Sequence, residues 1–142
     1  MPASPQTDFL ALCYERLSSA GGNPLLLDEP CRSIVLADTA HGLICNGGAE
    51  YFFAADFPGQ PDYSVFVHAF RNLGLTAVAD GLEALVDMFP FPVPHTERAL
   101  RTSFLLAPSA SVHSALVRFN QLVWADTGFD ERLQAYCSRT AP

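Results

Sequence analysis

Apolar residues recur at offsets of three and four along most of the chain, and glycines and prolines divide the runs into separate segments. Leu10, Cys13, Tyr14 and Leu17 fall on one face of a first helix, with Thr7 or Asp8 as its cap and Gly21-Gly22 past its end. A second helix is predicted from a cap at Asp28, with Pro30 in the first turn where a missing N–H costs little, to about Cys45. Its apolar residues Ile34, Val35, Leu36, Leu43 and Ile44 spread around the whole circumference, as expected of a central element touched from several sides. Asn46-Gly47-Gly48 stops it, and a short aromatic helix with Tyr51, Phe52 and Phe53 follows. After a turn over 58–61, Phe66, Ala69, Phe70 and Leu73 mark a helix ending at Gly74. Val78, Leu82, Leu85, Val86 and Phe89 form the clearest amphipathic stripe in the chain.

Pro90, Pro92 and Pro94 then require an extended connector, because proline removes a donor and biases its predecessor away from helix. A helix over about 95–106 is followed by Pro108 and by a helix bearing Val112, Leu116, Phe119 and Val123, capped by Ser109 or Ser111. Gly128 separates it from a last helix running through Tyr136. No stretch alternates as a strand would and no internal repeat is present. The fold class is therefore all-α: one compact domain of seven or eight helices over residues 8–139, with a short tail over 1–7 and another over 140–142.

Composition agrees with a packed domain. The 142 residues are 49% hydrophobic and 16% charged, a balance that lets burial offset chain entropy. Eleven phenylalanines beside one tryptophan suit a core of apolar rings that bring no polar tip to satisfy. The formal charge of −7 comes from fifteen acids against eight arginines, with no lysine anywhere. Such a surface repels phosphate backbones, so direct nucleic-acid binding is not expected, and a partner with a basic surface is. No apolar run approaches the roughly 20 residues of a membrane span. The four cysteines, Cys13, Cys31, Cys45 and Cys137, show no CxxC pair, and no signal peptide is recognised. Leu10-Ala11-Leu12-Cys13 has bulky Leu12 where a lipoprotein cleavage site needs a small residue. Four reduced thiols in a cytoplasmic protein are expected.

Catalytic spacing is absent: there is no Gly-x-Ser-x-Gly elbow and no phosphate-binding glycine loop. Asp38, His41 and Cys45 share a face of the second helix and invite a metal or thiol reading. Positions seven apart lie about 10 Å apart along the axis, so the three cannot bind one ion together. A hydrogen-bonded Asp–His pair beside a buried thiol is the plainer reading. His68, His95 and His113 add no ligand spacing. No catalytic residue, metal or cofactor is expected. Asn46-Gly47-Gly48 could offer N–H groups to an anion, although a structural turn explains it as well. Asp80, Glu83 and Asp87 line one acidic face, either a solvated helix side or a surface for a basic partner.

From residue 40 to 90 the chain resembles a bacterial domain-of-unknown-function family that includes the DNA mimic protein nineteen. The resemblance rests on Asn46-Gly47-Gly48 followed by Phe52-Phe53, a helix ending at Leu73-Gly74, then Ala79, Leu82 and Phe89-Pro90, with a weaker match from Phe119 to Tyr136. The chain departs from the family pattern at Ala49, where an aromatic is usual, at Tyr51 in place of glutamine, and at Cys45 in place of asparagine. The resemblance implies an all-helical, non-enzymatic protein that works by binding another protein, in a regulatory or immunity role, with Asn46, Gly47, Gly48, Phe52 and Phe53 as signature and candidate interaction residues. Its named member imitates DNA with clustered carboxylates. Duplex DNA carries a charge every ~1.7 Å of axis, and fifteen acids diluted by eight arginines make a thin version of that array. Homodimer formation stays open, as does a small-ligand or metal site on the Asp38/His41/Cys45 face.

Overall fold

Seven helices surround the one whose apolar residues go all the way round. The computed structural model describes the backbone of residues 5–142 and side chains from Asp8 onward. The helices are α1 (Pro5–Ser19), α2 (Cys31–Ala54), α3 (Tyr63–Asn72), α4 (Thr76–Asp87), α5 (Arg98–Leu106), α6 (Ala110–Ala125) and α7 (Phe129–Thr140), with 3-10 turns at Pro24–Leu26 and Pro94–Thr96. No strand occurs among the described residues, and the domain is all-α. Helix α2 packs against α1, α3, α5, α6 and α7, and α4 closes the molecule by packing on α3 and α6. Ile34, Ala37, Ala40, Ile44, Ala49 and Phe52 of α2 are completely buried.

Local chemistry explains most boundaries. Asp62 accepts from the Ser64 N–H at 2.8 Å and starts α3, while Ser109 accepts from the Val112 N–H and starts α6. Gly74, at φ 81°, closes α3: its N–H donates to the Arg71 carbonyl and the Leu75 N–H to the Phe70 carbonyl. The entry to α2 differs from the expected Asp28 cap. The Glu29 carboxylate accepts from the Ser33 N–H at 3.0 Å and from the Ser33 hydroxyl, because its longer side chain reaches back into the first turn. Helix α1 already includes residues 5–7, so the expected Thr7 or Asp8 cap lies inside it, and the expected tail over 1–4 lies outside the described residues.

The aromatic core forms where α2, α3 and the proline-rich connector meet. Phe52 meets Phe66 edge-on at 5.0 Å, and Phe53 meets Tyr63 and Phe89 edge-on at 5.2 and 5.1 Å. Burial pushes the Tyr63 phenol up to about 12. Arg101, fully buried, secures this end: its Nε donates to the Phe53 carbonyl at 2.8 Å, Nη1 to the Pro94 carbonyl at 2.7 Å, and Nη2 to Asp56 at 2.7 Å. A guanidinium thus supplies the donors that the C-terminal carbonyls of α2 lack, and the interior tolerates its charge because every face is hydrogen-bonded. Helix α5 begins three residues later than expected, since Pro94–Thr96 takes a tighter turn that presents the Pro94 carbonyl to Arg101.

The expectation of four reduced thiols does not hold. Helix α1 lies on the first turn of α2, which brings the Cys13 and Cys31 α-carbons within 5.0 Å, and a disulfide joins them. Nothing in an 18-residue separation signals this pairing; it follows from helix packing. Cys137 is a buried thiol, and Cys45, expected to be buried, is exposed.

Candidate functional site

The Asn-Gly-Gly stop is a kink inside α2. Gly47 adopts φ −156°, ψ 17°, and Gly48 adopts φ 78°, ψ −179°, a conformation that side chains disfavour. Helical geometry resumes at Ala49, so the expected short aromatic helix is the second half of α2. The kink releases backbone groups, and α6 supplies partners for them. The Ala49 N–H donates to Asn120 Oδ1 at 2.8 Å, and Asn120 Nδ2 donates to Glu50 Oε1 at 2.8 Å. Asn120 is 5% exposed, so the donor proposed for an anion is already satisfied inside the protein. A β-carbon at Gly48 would lie 2.7 Å from Asn120 Nδ2. One turn further along α6, Trp124 Nε1 donates at 3.0 Å to the Ile44 carbonyl, which a straight helix would offer to residue 48.

Two aromatic residues stand exposed around this kink. Trp124 is 53% and Tyr51 50% exposed. Tyr51 lies over Gly47, so closely that a β-carbon there would come within 2.7 Å of it. Of the sequence signature, Asn46 and Gly47 reach the surface, while Gly48, Phe52 and Phe53 are buried; the two phenylalanines are core rings and cannot meet a partner directly.

Asp38, His41 and Cys45 share a face as expected but are directed to different neighbours. Asp38 accepts from the Tyr14 hydroxyl. His41 stacks flat on Phe129 with ring centroids 3.6 Å apart, and Cys45 Sγ lies 3.6 Å from His41 Nε2. Burial lowers the His41 pKa, opposed by Asp130, Asp38 and Asp126. Burial and Asp130 raise the Cys45 thiol, and burial together with the Asp38 bond raises the Tyr14 phenol. A thiol held in this way is a poor nucleophile. Among the described residues no group of three or more His, Cys, Asp or Glu is placed to hold a metal.

The acidic face of α4 is partly neutralised. Arg71 contacts Asp80 at 2.7 Å and Glu83 at 3.5 Å, and only Asp87 of that trio stays free of an arginine. The carboxylates left without arginine partners include Asp126 and Asp130, at the α6–α7 junction beside the kinked half of α2. Periodicity did not single out Asn120, Trp124, Asp126 or Asp130. Asn120 was the one with a signal, a polar residue on the apolar stripe of Val112, Leu116, Phe119 and Val123.

A family model described as DMP19-like protein matches residues 26–140. No curated protein and no solved structure matches the chain.

Proposed function

The chain belongs to the DMP19-like protein family, and from that membership we propose that it is a non-enzymatic protein-interaction domain whose anionic helical surface docks on a basic protein. The observation that supports this most is the arrangement of charge. The arginines are drawn into internal contacts: Arg101 into the core, Arg32 onto the Leu27 and Leu25 carbonyls, Arg132 onto the Gly74 carbonyl, Arg71 onto Asp80, and Arg98 onto Asp56. Exposed carboxylates such as Asp87, Glu97, Asp130 and Glu131 keep no such partner among the described residues. The surface field is therefore set by acids, which attract a cationic partner and steer its approach.

The sharper form of the reading is DNA mimicry, in which the partner's DNA-binding face is what the carboxylates occupy. Affinity capture at low salt, with mass spectrometry of what is retained, tests the interaction reading: recovery of a basic protein supports it, and a chain repeatedly recovered alone overturns it. Adding the chain to that basic protein on labelled DNA tests the mimic. DNA should be released, with less release as salt rises, since screening weakens exposed charges. Release that ignores salt, or no release, rules out the electrostatic form. The cytoplasm is the compartment this reading assumes; there the Cys13–Cys31 bond, with both sulfurs almost fully buried, would rely on burial for protection from reductants.

A further inference from the structure

We propose that Tyr51 and Trp124, with Glu50, Asp126 and Asp130 around them, form a receptor for an arginine side chain of a cationic protein partner. The inference rests on the interaction reading above and gives it a place and a chemistry. Both rings are half exposed, yet neither is a loose side chain. The indole N–H is held by the Ile44 carbonyl, and Tyr51 is held over Gly47. Ile44 and Gly47 are three residues apart on one face of α2, so the two rings border the same patch. Asn120 ties α6 to Glu50, one turn before Trp124, so the two helices present this patch as one fixed surface. Rings fixed in this way lose little freedom on binding, and Trp and Tyr are the residues that most often anchor an interface.

The charge around the rings selects the occupant. Glu50 is exposed and held by Asn120 through one oxygen, Asp126 follows Trp124 by two residues, and Asp130 lies near enough to raise the Cys45 thiol. Arg118, the other cation of α6, lines the groove between α6 and α4 with Gly81, Leu85 and Leu122. A neutral apolar partner would leave these carboxylates uncompensated. A guanidinium satisfies both features, because its plane stacks on an aromatic face while its N–H groups fork onto carboxylates; an ammonium lacks the plane.

The only tryptophan of the chain is part of the proposed site, so its fluorescence reports occupancy directly. The test titrates the folded protein at low salt with an alanine-rich helical peptide carrying six arginines, and with matched lysine and citrulline peptides. A saturable change in Trp124 emission is expected with arginine, about fivefold weaker binding with lysine, and none with citrulline. Tyr51→Ser, and Asp126→Asn with Asp130→Asn, should each weaken arginine-peptide binding about fivefold, while Asp28→Asn on another face leaves it unchanged. Circular dichroism checks that the variants fold, and the indole N–H resonance of the unmutated protein gives a readout that needs no variant. No saturable change, equal binding of citrulline, or undiminished binding by both variants overturns the proposal. A natural partner that still binds both variants overturns this site and leaves the interaction reading standing. Peptide binding without any natural basic partner does the reverse.

Discussion

Gly48 and Asn120 depend on each other. The glycine takes a backbone conformation closed to other residues and leaves room for the amide, and the amide restores the hydrogen bond that this conformation breaks. Asn120→Ala should therefore destabilise the fold by about 1–3 kcal/mol, the usual cost of a buried donor left unsatisfied, read from the midpoint of chemical denaturation. His41 offers a separate residue-scale test. Its pKa is lowered in the folded state, so below the ordinary imidazole value the unfolded chain binds the proton more readily than the folded one. Stability should fall as pH drops through the window between 6.5 and the lower folded value, and should be unaffected by this group above it. Following the His41 ring resonances against pH should give a midpoint below 6.5, and Asp130→Asn should lower it further by removing a carboxylate that favours the charged ring.

At the scale of elements, α1 is joined to α2 by a covalent bond as well as by packing. Closing an 18-residue separation restricts the unfolded chain, so replacing Cys13 and Cys31 by serine should cost about 3 kcal/mol, and thiol titration of the native unreduced protein should find two free thiols rather than four. Helix positions were legible because apolar spacing and the Gly and Pro breaks are local signals: α4 and α6 lie where their stripes place them. The proposal that α2 is central was legible from its all-round apolar character. The disulfide, the Arg101 clasp and the Asn120 cap were not, because each joins positions 18 to 71 residues apart and depends on how helices cross. The candidate surface was half legible for the same reason. Asn46 and Gly47 mark its place, but Trp124, Asp126 and Asp130 reach it only through the packing of α6 and α7, and Phe52 and Phe53 turn inward because the kink rotates the second half of α2 into the core.

Across the whole molecule, the net charge of −7 acts on the fold and on partners in opposite directions. Self-repulsion opposes compactness and attraction favours a basic partner, so raising salt from about 0.05 to 0.5 M, where the Debye length falls from roughly 14 to 4 Å, should raise the melting temperature while weakening the complex. Calorimetry and binding assays over one salt series would check both; a melting temperature that falls would remove self-repulsion from the account. The engagement of the arginines has one more consequence. With no lysine in the chain, trypsin can cut only after arginine, and all eight arginines lie within helices α1, α2, α3, α5, α6 and α7. A protease needs an extended backbone, so each cut waits for a helix to open. The order in which tryptic fragments emerge from the native protein thus becomes a clock of local unfolding, with Arg101 marking the opening of the core.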